Sequence, residues 1–290
     1  MSPLGSELVW VELDGGKFLM GNGRGDGYEP DGEGPVHKVK LRPFAITAYT
    51  VSNDQFAEFV QATGHRTQAE EFGWSFVFTM FLPEDFEATR AVQRAQWWRQ
   101  VFGADWRHPE GPQSDISDRG DHPVVHVSWN DAGAYCEWVD AQLPTEAQWE
   151  YAARGALKGT AFPWGSQLEP NGEHRMNVFQ GEFFESNTCA DGFAGTAPVD
   201  SFEPNDFGLY QMTGNLWEMC SDAYNADYYS VSPKSDPQGP LAPPEAPRVQ
   251  RGGSYLCHDS YCRRYRVDAR SSNTPESSSG NLGFRVVRAA

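Results

Sequence analysis

Residues 252–284 read GGSYLCHDSYCRRYRVDARSSNTPESSSGNLGF and hold Cys257 and Cys262, two of the chain's five cysteines. Four arginines, Arg263, Arg264, Arg266 and Arg270, crowd the same run. Buried arginine requires partners, so the stretch is poor core material and reads as a site. Two thiols spaced C-x4-C can close a disulfide, ligate a soft metal or sit reduced. Zinc is disfavoured, because a structural zinc site takes four ligands and no second Cys or Cys/His pair stands at the usual spacing. Cu(I) suits thiolates and does not demand four ligands. Spacing alone leaves the alternatives open.

Outward from this run, the 290 residues contain no sustained low-complexity linker, and one domain over 1–290 is the simpler reading. Ten Trp, eleven Tyr and eighteen Phe can fill a large core, while 29 Gly and 20 Pro keep regular elements short. The expectation is a loop-rich fold. A net charge of −17 argues against nucleic acid or an anionic membrane and points to cations and basic peptides, or simply to a solvated acidic surface. No basic segment followed by an apolar one opens the chain and no run is long enough to span a bilayer, so a cytoplasmic monomer is expected. Cys136, Cys189 and Cys220 belong to no paired framework and are expected reduced and structural.

Val9-Trp-Val-Glu-Leu13, then Gly15-Gly16 and Phe18-Leu-Met20, reads as two short strands with a turn, a hairpin-like opening. Residues 21–35, rich in glycine and carrying Asp26, Glu29, Asp31 and Glu33, read as a mobile acidic surface loop. Ser52 to Gln55 matches a capping box, and Phe56, Phe59 and Val60 follow at helical spacing up to Gly64. Ser128 with Asp131, then Ala132, Tyr135, Cys136 and Val139, predicts a second helix. Thr145 with Gln148, then Trp149, Ala152 and Ala153, predicts a third, stopped by Gly155. Trp97 and Trp98 are read as core in preference to groove lining. From 162 to 219 the chain has almost no helical period and many oxygen-bearing turn residues, a composition that Ca2+ can pin or that Asx turns explain.

The words around the cysteines, Gly-Gly-Ser-Tyr-Leu-Cys257 through Cys262-Arg-Arg-Tyr-Arg266 to Asn281-Leu-Gly-Phe-Arg285, closely resemble the active-site region of the formylglycine-generating enzymes, the sulfatase-modifying factor family. The resemblance continues in Gly15-Gly-Lys-Phe-Leu-Met-Gly21, Gly73-Trp-Ser-Phe-Val-Phe78, Trp106-Arg-His-Pro-Glu-Gly-Pro112, His122-Pro-Val-Val-His-Val-Ser-Trp-Asn-Asp131, Leu143-Pro-Thr-Glu-Ala-Gln-Trp-Glu-Tyr151 and Gly214-Asn-Leu-Trp-Glu218, nearly the whole chain. It implies a mixed α/β, loop-rich variant of the C-type-lectin-like fold with few short helices and strands. It implies oxidation by O2 of the cysteine in a Cys-X-Pro-X-Arg sulfatase peptide to Cα-formylglycine. Cys257 and Cys262 would hold Cu(I), which the substrate thiolate joins; the substrate Cβ–H is broken and a thioaldehyde hydrolyses. Ser254 and Trp217 would line the oxygen pocket, with Ser278 and Asn281 near the cysteines as substrate contacts. One calcium would take Asn177, Asp191 and the carbonyls of Val178 and Phe193; a second would take Glu218 with the carbonyls of Gly214 and Leu216.

The chain departs from the family pattern at Gln211, where a calcium loop usually has Asn, and at Met219 and 140–142. Val267 and Val286 stand where eukaryotic members carry disulfide cysteines. Three rival readings remain beside copper oxidation. One makes the cysteine pair a redox-active disulfide. One is an iron-dependent sulfoxide synthase of the same fold, which needs a His triad on an added helical domain. One is a non-catalytic lectin-like peptide-binding module.

Overall fold

A computed structural model describes residues 7–290. Each of its four helices begins on a reciprocal capping box, in which a hydroxyl accepts the N3 backbone N–H and the N3 side chain accepts the cap's own. These are α1 (Asn53–Thr63) on Ser52, α2 (Gln68–Phe72) on Thr67, α3 (Trp129–Trp138) on Ser128 and α4 (Glu146–Ala153) on Thr145. Helices α1, α3 and α4 stand where the sequence predicts them. α2 escapes the pattern because its five residues are too short to display an apolar period, although Thr67, Glu70 and the left-handed Gly73 mark both its ends. The rest is short strands, four single-turn 3-10 helices and loops, the mixed, loop-rich organisation with few short elements that the resemblance implies.

The opening strands form but do not make a hairpin. Trp10–Leu13 pairs with Phe44–Thr47, whose other edge takes Val287–Ala289, so residues from both ends of the chain share one sheet. Gly16–Met20 pairs instead with His37–Leu41. Gly15 and Gly16, at φ +66° and +114°, swing the chain from one sheet to the other. A Cβ on Gly15 would lie 2.5 Å from the carbonyl oxygen of Arg42, so the crossing requires glycine.

Loop 21–35, read from the sequence as mobile, is tied down by the arginines of the cysteine run. Arg266 grips Glu33 through two bonds of 2.8 and 2.9 Å, both residues being buried. Arg264 takes both oxygens of Asp31, and Arg24 reaches back to both oxygens of Asp268. Deeper, Glu146 accepts from Arg251 and from two nitrogens of Arg270, each at 2.8 Å, and Glu150 from Arg154 and Arg251. Removing one partner from such a buried pair typically costs about 3–5 kcal/mol, because the other charge is stranded.

The aromatic residues divide between two main cores. One gathers Phe56, Phe59, Trp106, Tyr135 and Phe284 with Trp217 and both site cysteines; the other surrounds Trp149, Phe44, Ile46 and Leu209. Val267 and Val286 are fully buried, one in each core. Cys136 and Cys220 are buried and Cys189 half-buried, and all five cysteines are free.

Candidate active site

One end of a four-stranded sheet delivers three walls of the site. In the order Arg270–Asn273, Arg248–Arg251, Trp217–Ala223, Leu282–Gly283, the first three strands run antiparallel and the last pair parallel. Trp217 opens the third strand, Asn281 precedes the fourth, and Ser254 follows the second across Gly252 and Gly253. Backbone bonds lock these pieces: Trp217 N–H donates to the Asn281 carbonyl at 2.8 Å, and Tyr255 N–H to that of Asn215 at 2.8 Å. Gly253, at φ +73°, leaves no room for a side chain, since a Cβ there would stand 2.9 Å from Tyr265 Cα.

The cysteines then close a tight loop. Cys257 N–H donates to the Ser254 carbonyl at 2.8 Å, and Cys262 N–H to that of His258 at 2.7 Å. Their sulfurs lie 2.8 Å apart, buried, on a cavity of about 290 Å³. Ser254, Trp217, Ser278 and Asn281 line the same cavity, so the six pocket residues expected from the resemblance converge on one space. Trp97 and Trp98, read from the sequence as core, line it too while packing on a small aromatic cluster with Phe78 and Phe179. Tyr261 and Arg264 complete the wall beside the thiols.

The two thiols differ. Cys257 donates its S–H to Cys262, and that bond is the largest influence bringing Cys262 down to about 7; burial opposes it, while the backbone N–H and the charge of Arg264 assist. Burial, and then the neighbouring sulfur, push Cys257 well above the usual thiol range. Above about pH 7 the pair therefore presents a single negative charge, on Cys262, beside a guanidinium.

The two hydroxyls facing the cavity have opposite polarity. Ser254 Oγ accepts from Asn281 Nδ2 at 2.9 Å and from Leu256 N–H at 3.3 Å, leaving its own proton to donate. Ser278 is fixed the other way by a buried chain behind it. His126 Nε2 lies 2.8 Å from the Pro109 carbonyl, which can only accept, so Nε2 carries the proton and Nδ1 accepts from Ser75 at 2.8 Å. Ser75 Oγ then accepts from Ser278, 2.7 Å away, and Ser278 shows the cavity only lone pairs. Burial lowers His126 to about 4, so the neutral form and this polarity persist at neutral pH. Neither His126 nor Ser75 is singled out by sequence reading: a lone His and a lone Ser carry no period or spacing. Their one signal is membership of the motifs 122–131 and 73–78.

Three donor sets are implied for metals, one of sulfur and two of oxygen. Among the described residues no group of three His, Cys, Asp or Glu gathers, so the thiols form a two-donor, sulfur-only site, the kind that suits a soft monovalent ion. The first calcium set also fits. Asn177 Oδ1 is buried without a partner, and burial raises the Asp191 carboxyl although it accepts the N–H groups of Phe193 and Val178. An orphaned amide oxygen, and a carboxylate with no ion-pair partner among the described residues, are groups that a hard cation would satisfy. The second set does not fit as expected. Glu218 gives both oxygens to Arg285, at 2.6 and 2.7 Å, and one also to Trp149, so its charge is already matched. Gln211 Oε1, at the divergent loop position, is buried and unpartnered.

Residues 4–290 match the Sulfatase-modifying factor enzyme 1-like domain. The chain belongs to this family. A relative from Streptomyces coelicolor named "Formylglycine-generating enzyme" is 56% identical over 97% of this chain and 89% of its own length. The family also includes an "Inactive C-alpha-formylglycine-generating enzyme 2" from Bos taurus, 44% identical over 99% of this chain and 90% of that relative. Among solved structures, that of PvdO from Pseudomonas aeruginosa superposes with a TM-score of 0.70 at 26% identity, covering 97% of this chain and 94% of PvdO. Family membership thus spans proteins named as active and as inactive.

Proposed function

We propose that this chain converts the cysteine of a Cys-X-Pro-X-Arg peptide in a sulfatase polypeptide to Cα-formylglycine, with O2 as oxidant and Cu(I) held by Cys257 and Cys262. The observation that carries the reading is the pair of free thiols 2.8 Å apart on a cavity whose other walls are Ser254, Trp217, Ser278 and Asn281. The activity named for the Streptomyces coelicolor relative supports it. Bound Cu(I) would supply a redox-active soft ion at which O2 and a third thiolate can meet. The chain's own residues do the rest. Cys262 gives up its proton near neutrality and Arg264 offsets the charge. Ser254 donates and Ser278 accepts across the cavity, a polarised frame for a reactant that both gains and loses protons. Trp217, Trp97 and Trp98 line the same cavity, apolar surface that would limit bulk water at the reacting sulfur.

No carboxylate is among the residues lining this cavity, so the peptide's Arg is met outside it and serves binding more than chemistry. Ca2+ at Asn177, Val178, Asp191 and Phe193 would pin the helix-poor segment behind the site. The chain would work as a monomer in a reducing compartment; valine at 267 and 286, where the resemblance places the disulfide cysteines of eukaryotic members, supports the compartment.

Mass spectrometry of such a peptide after incubation with copper-loaded protein in air tests the proposal. Aldehyde formation that stops in either Cys→Ser variant is the expected result; peptide binding with no turnover would leave a binding module. The 2.8 Å sulfur contact also favours a second reading, a redox-active disulfide. That reading requires turnover in copper-free protein supplied with a thiol reductant.

A further inference from the structure

All five lysines of the chain, Lys17, Lys38, Lys40, Lys158 and Lys234, line one groove of about 1010 Å³. They come from four separate stretches of sequence, and the fold brings them together. On the ribbon of Gly16–Met20 and His37–Leu41, Lys17 stands directly across from Lys40, and Leu19 across from Lys38. The Lys234 carbonyl accepts the N–H of Lys40 at 2.8 Å, which sets that lysine beside the pair. Lys158 comes from the loop beyond α4. The groove shares no lining residue with the thiol cavity.

Like charges facing each other across a ribbon are destabilising, and among the described residues no carboxylate pairs with them. Every salt bridge among the described residues is made by arginine or histidine, although the chain carries 40 carboxylates. The arginines reaching the groove, Arg24 and Arg154, are already bound to Asp268 and Glu150. Between the lysines the surface is apolar: Leu19 is 54% and Val36 38% exposed, with Phe207 beside them. A protein of net charge −17 therefore holds one concentrated, unmatched cationic surface with an apolar floor.

We propose that this groove binds an extended acidic segment of a partner polypeptide, its carboxylates on the lysines and its apolar side chains on the floor. Charge complementarity selects the acidic partner, and the concave shape selects a chain over a bilayer, which cannot enter a groove and whose anionic leaflet the rest of the surface repels. The Gly16–Met20 strand pairs only with His37–Leu41 among the described residues, so its other edge can take a further strand.

The probe is a labelled peptide of roughly twelve residues in which Glu alternates with Leu or Ser, a length suited to strand addition. Fluorescence anisotropy would follow its binding to the full chain, with a Glu→Gln peptide as control. Saturable, salt-sensitive binding of the Glu peptide is expected, weakened at least about tenfold by the double variant Lys17→Glu/Lys40→Glu, with the Gln peptide weak throughout. Lys158→Glu, away from the ribbon, should weaken it independently; unchanged melting and thiol-site turnover would show that both variants fold. Equal binding by wild type and the double variant would overturn the proposal, as would no binding of the Glu peptide. So would capture of phosphatidylserine vesicles in its place, or a concentration-dependent dimer in sedimentation that the double variant abolishes.

Discussion

Acidification should unlatch the buried chain behind Ser278, and its cost follows from one group. His126 is fully buried with Nε2–H on the Pro109 carbonyl and Nδ1 on Ser75, and burial lowers it to about 4. In the unfolded chain it titrates near 6.5. Between these values the unfolded state binds a proton that the folded state refuses, so this group's contribution is whole above about pH 6.5 and is lost as pH falls toward 4. Lowering pH from 7 to 4.5 removes roughly 2–3 kcal/mol at about 1.4 kcal/mol per pH unit, or roughly 3–5 °C of melting temperature for a chain of this size. His126→Asn is the informative variant. Asparagine tolerates the left-handed backbone at this position, φ +57°, offers a donor and an acceptor, and does not titrate. It should melt lower at pH 7, because a large buried ring is lost, yet fall less between pH 7 and 4.5. Calorimetric scans of both proteins at the two pH values measure the difference. Parallel losses in wild type and variant would refute the reasoning, whatever their absolute stabilities.

The cysteine asymmetry predicts that alkylation of Cys262 rises with pH through a midpoint near 7, and that Cys257→Ala, by removing the S–H donor, moves the midpoint up toward the free-thiol value of about 8.5. Competition against a calibrated Cu(I) chelator should show one equivalent bound tightly by wild type and severely weakened by Cys257→Ser or Cys262→Ser, since a hydroxyl is a hard ligand. Calcium at a hundred times its Kd should stabilise by about 2.7 kcal/mol, a shift that chelation abolishes and Asp191→Ala removes. Metal analysis finding one ion per chain would match the pairing of Glu218 with Arg285, and two would contradict it. In peptide kinetics, replacing the substrate Arg with Ala should raise KM more than it lowers kcat; the reverse would put that Arg in the transition state.

What the sequence disclosed and what it hid separate along physical lines. Local chemistry was legible: the caps at Ser52, Ser128 and Thr145 act within four residues, and each starts its predicted helix. The six pocket residues were legible through the words surrounding them. Strand partnership was not, because Trp10–Leu13 and Gly16–Met20 have the same alternation whether they pair with each other or with strands further along. The arginine run was correctly judged unfit for a bare core, but its partners Asp31 and Glu33 lie 233 residues away, and no local pattern connects them. The same distance effect hid the chain from His126 to Ser278, whose links are made only by tertiary packing. The partner of Glu218 was hidden in the same way: the resemblance implies a calcium ligand there, and no local pattern shows that Arg285, 67 residues away, takes both its oxygens.

The pairing of loop 21–35 with the cysteine run sets an order of assembly. During synthesis Asp31 and Glu33 appear long before Arg264 and Arg266, and until those arginines arrive the two acids lack the charges that hold them in place. The thiol loop hangs from these same arginines, so its shape depends on contacts among the most distant in the sequence and forms only when early and late segments meet. Contacts of such separation close slowly, because most of the chain's freedom must be surrendered before any of them is made. A nascent or misassembled chain therefore carries the cysteines as ordinary flexible thiols, and the paired, Arg264-flanked geometry becomes a certificate of completed folding.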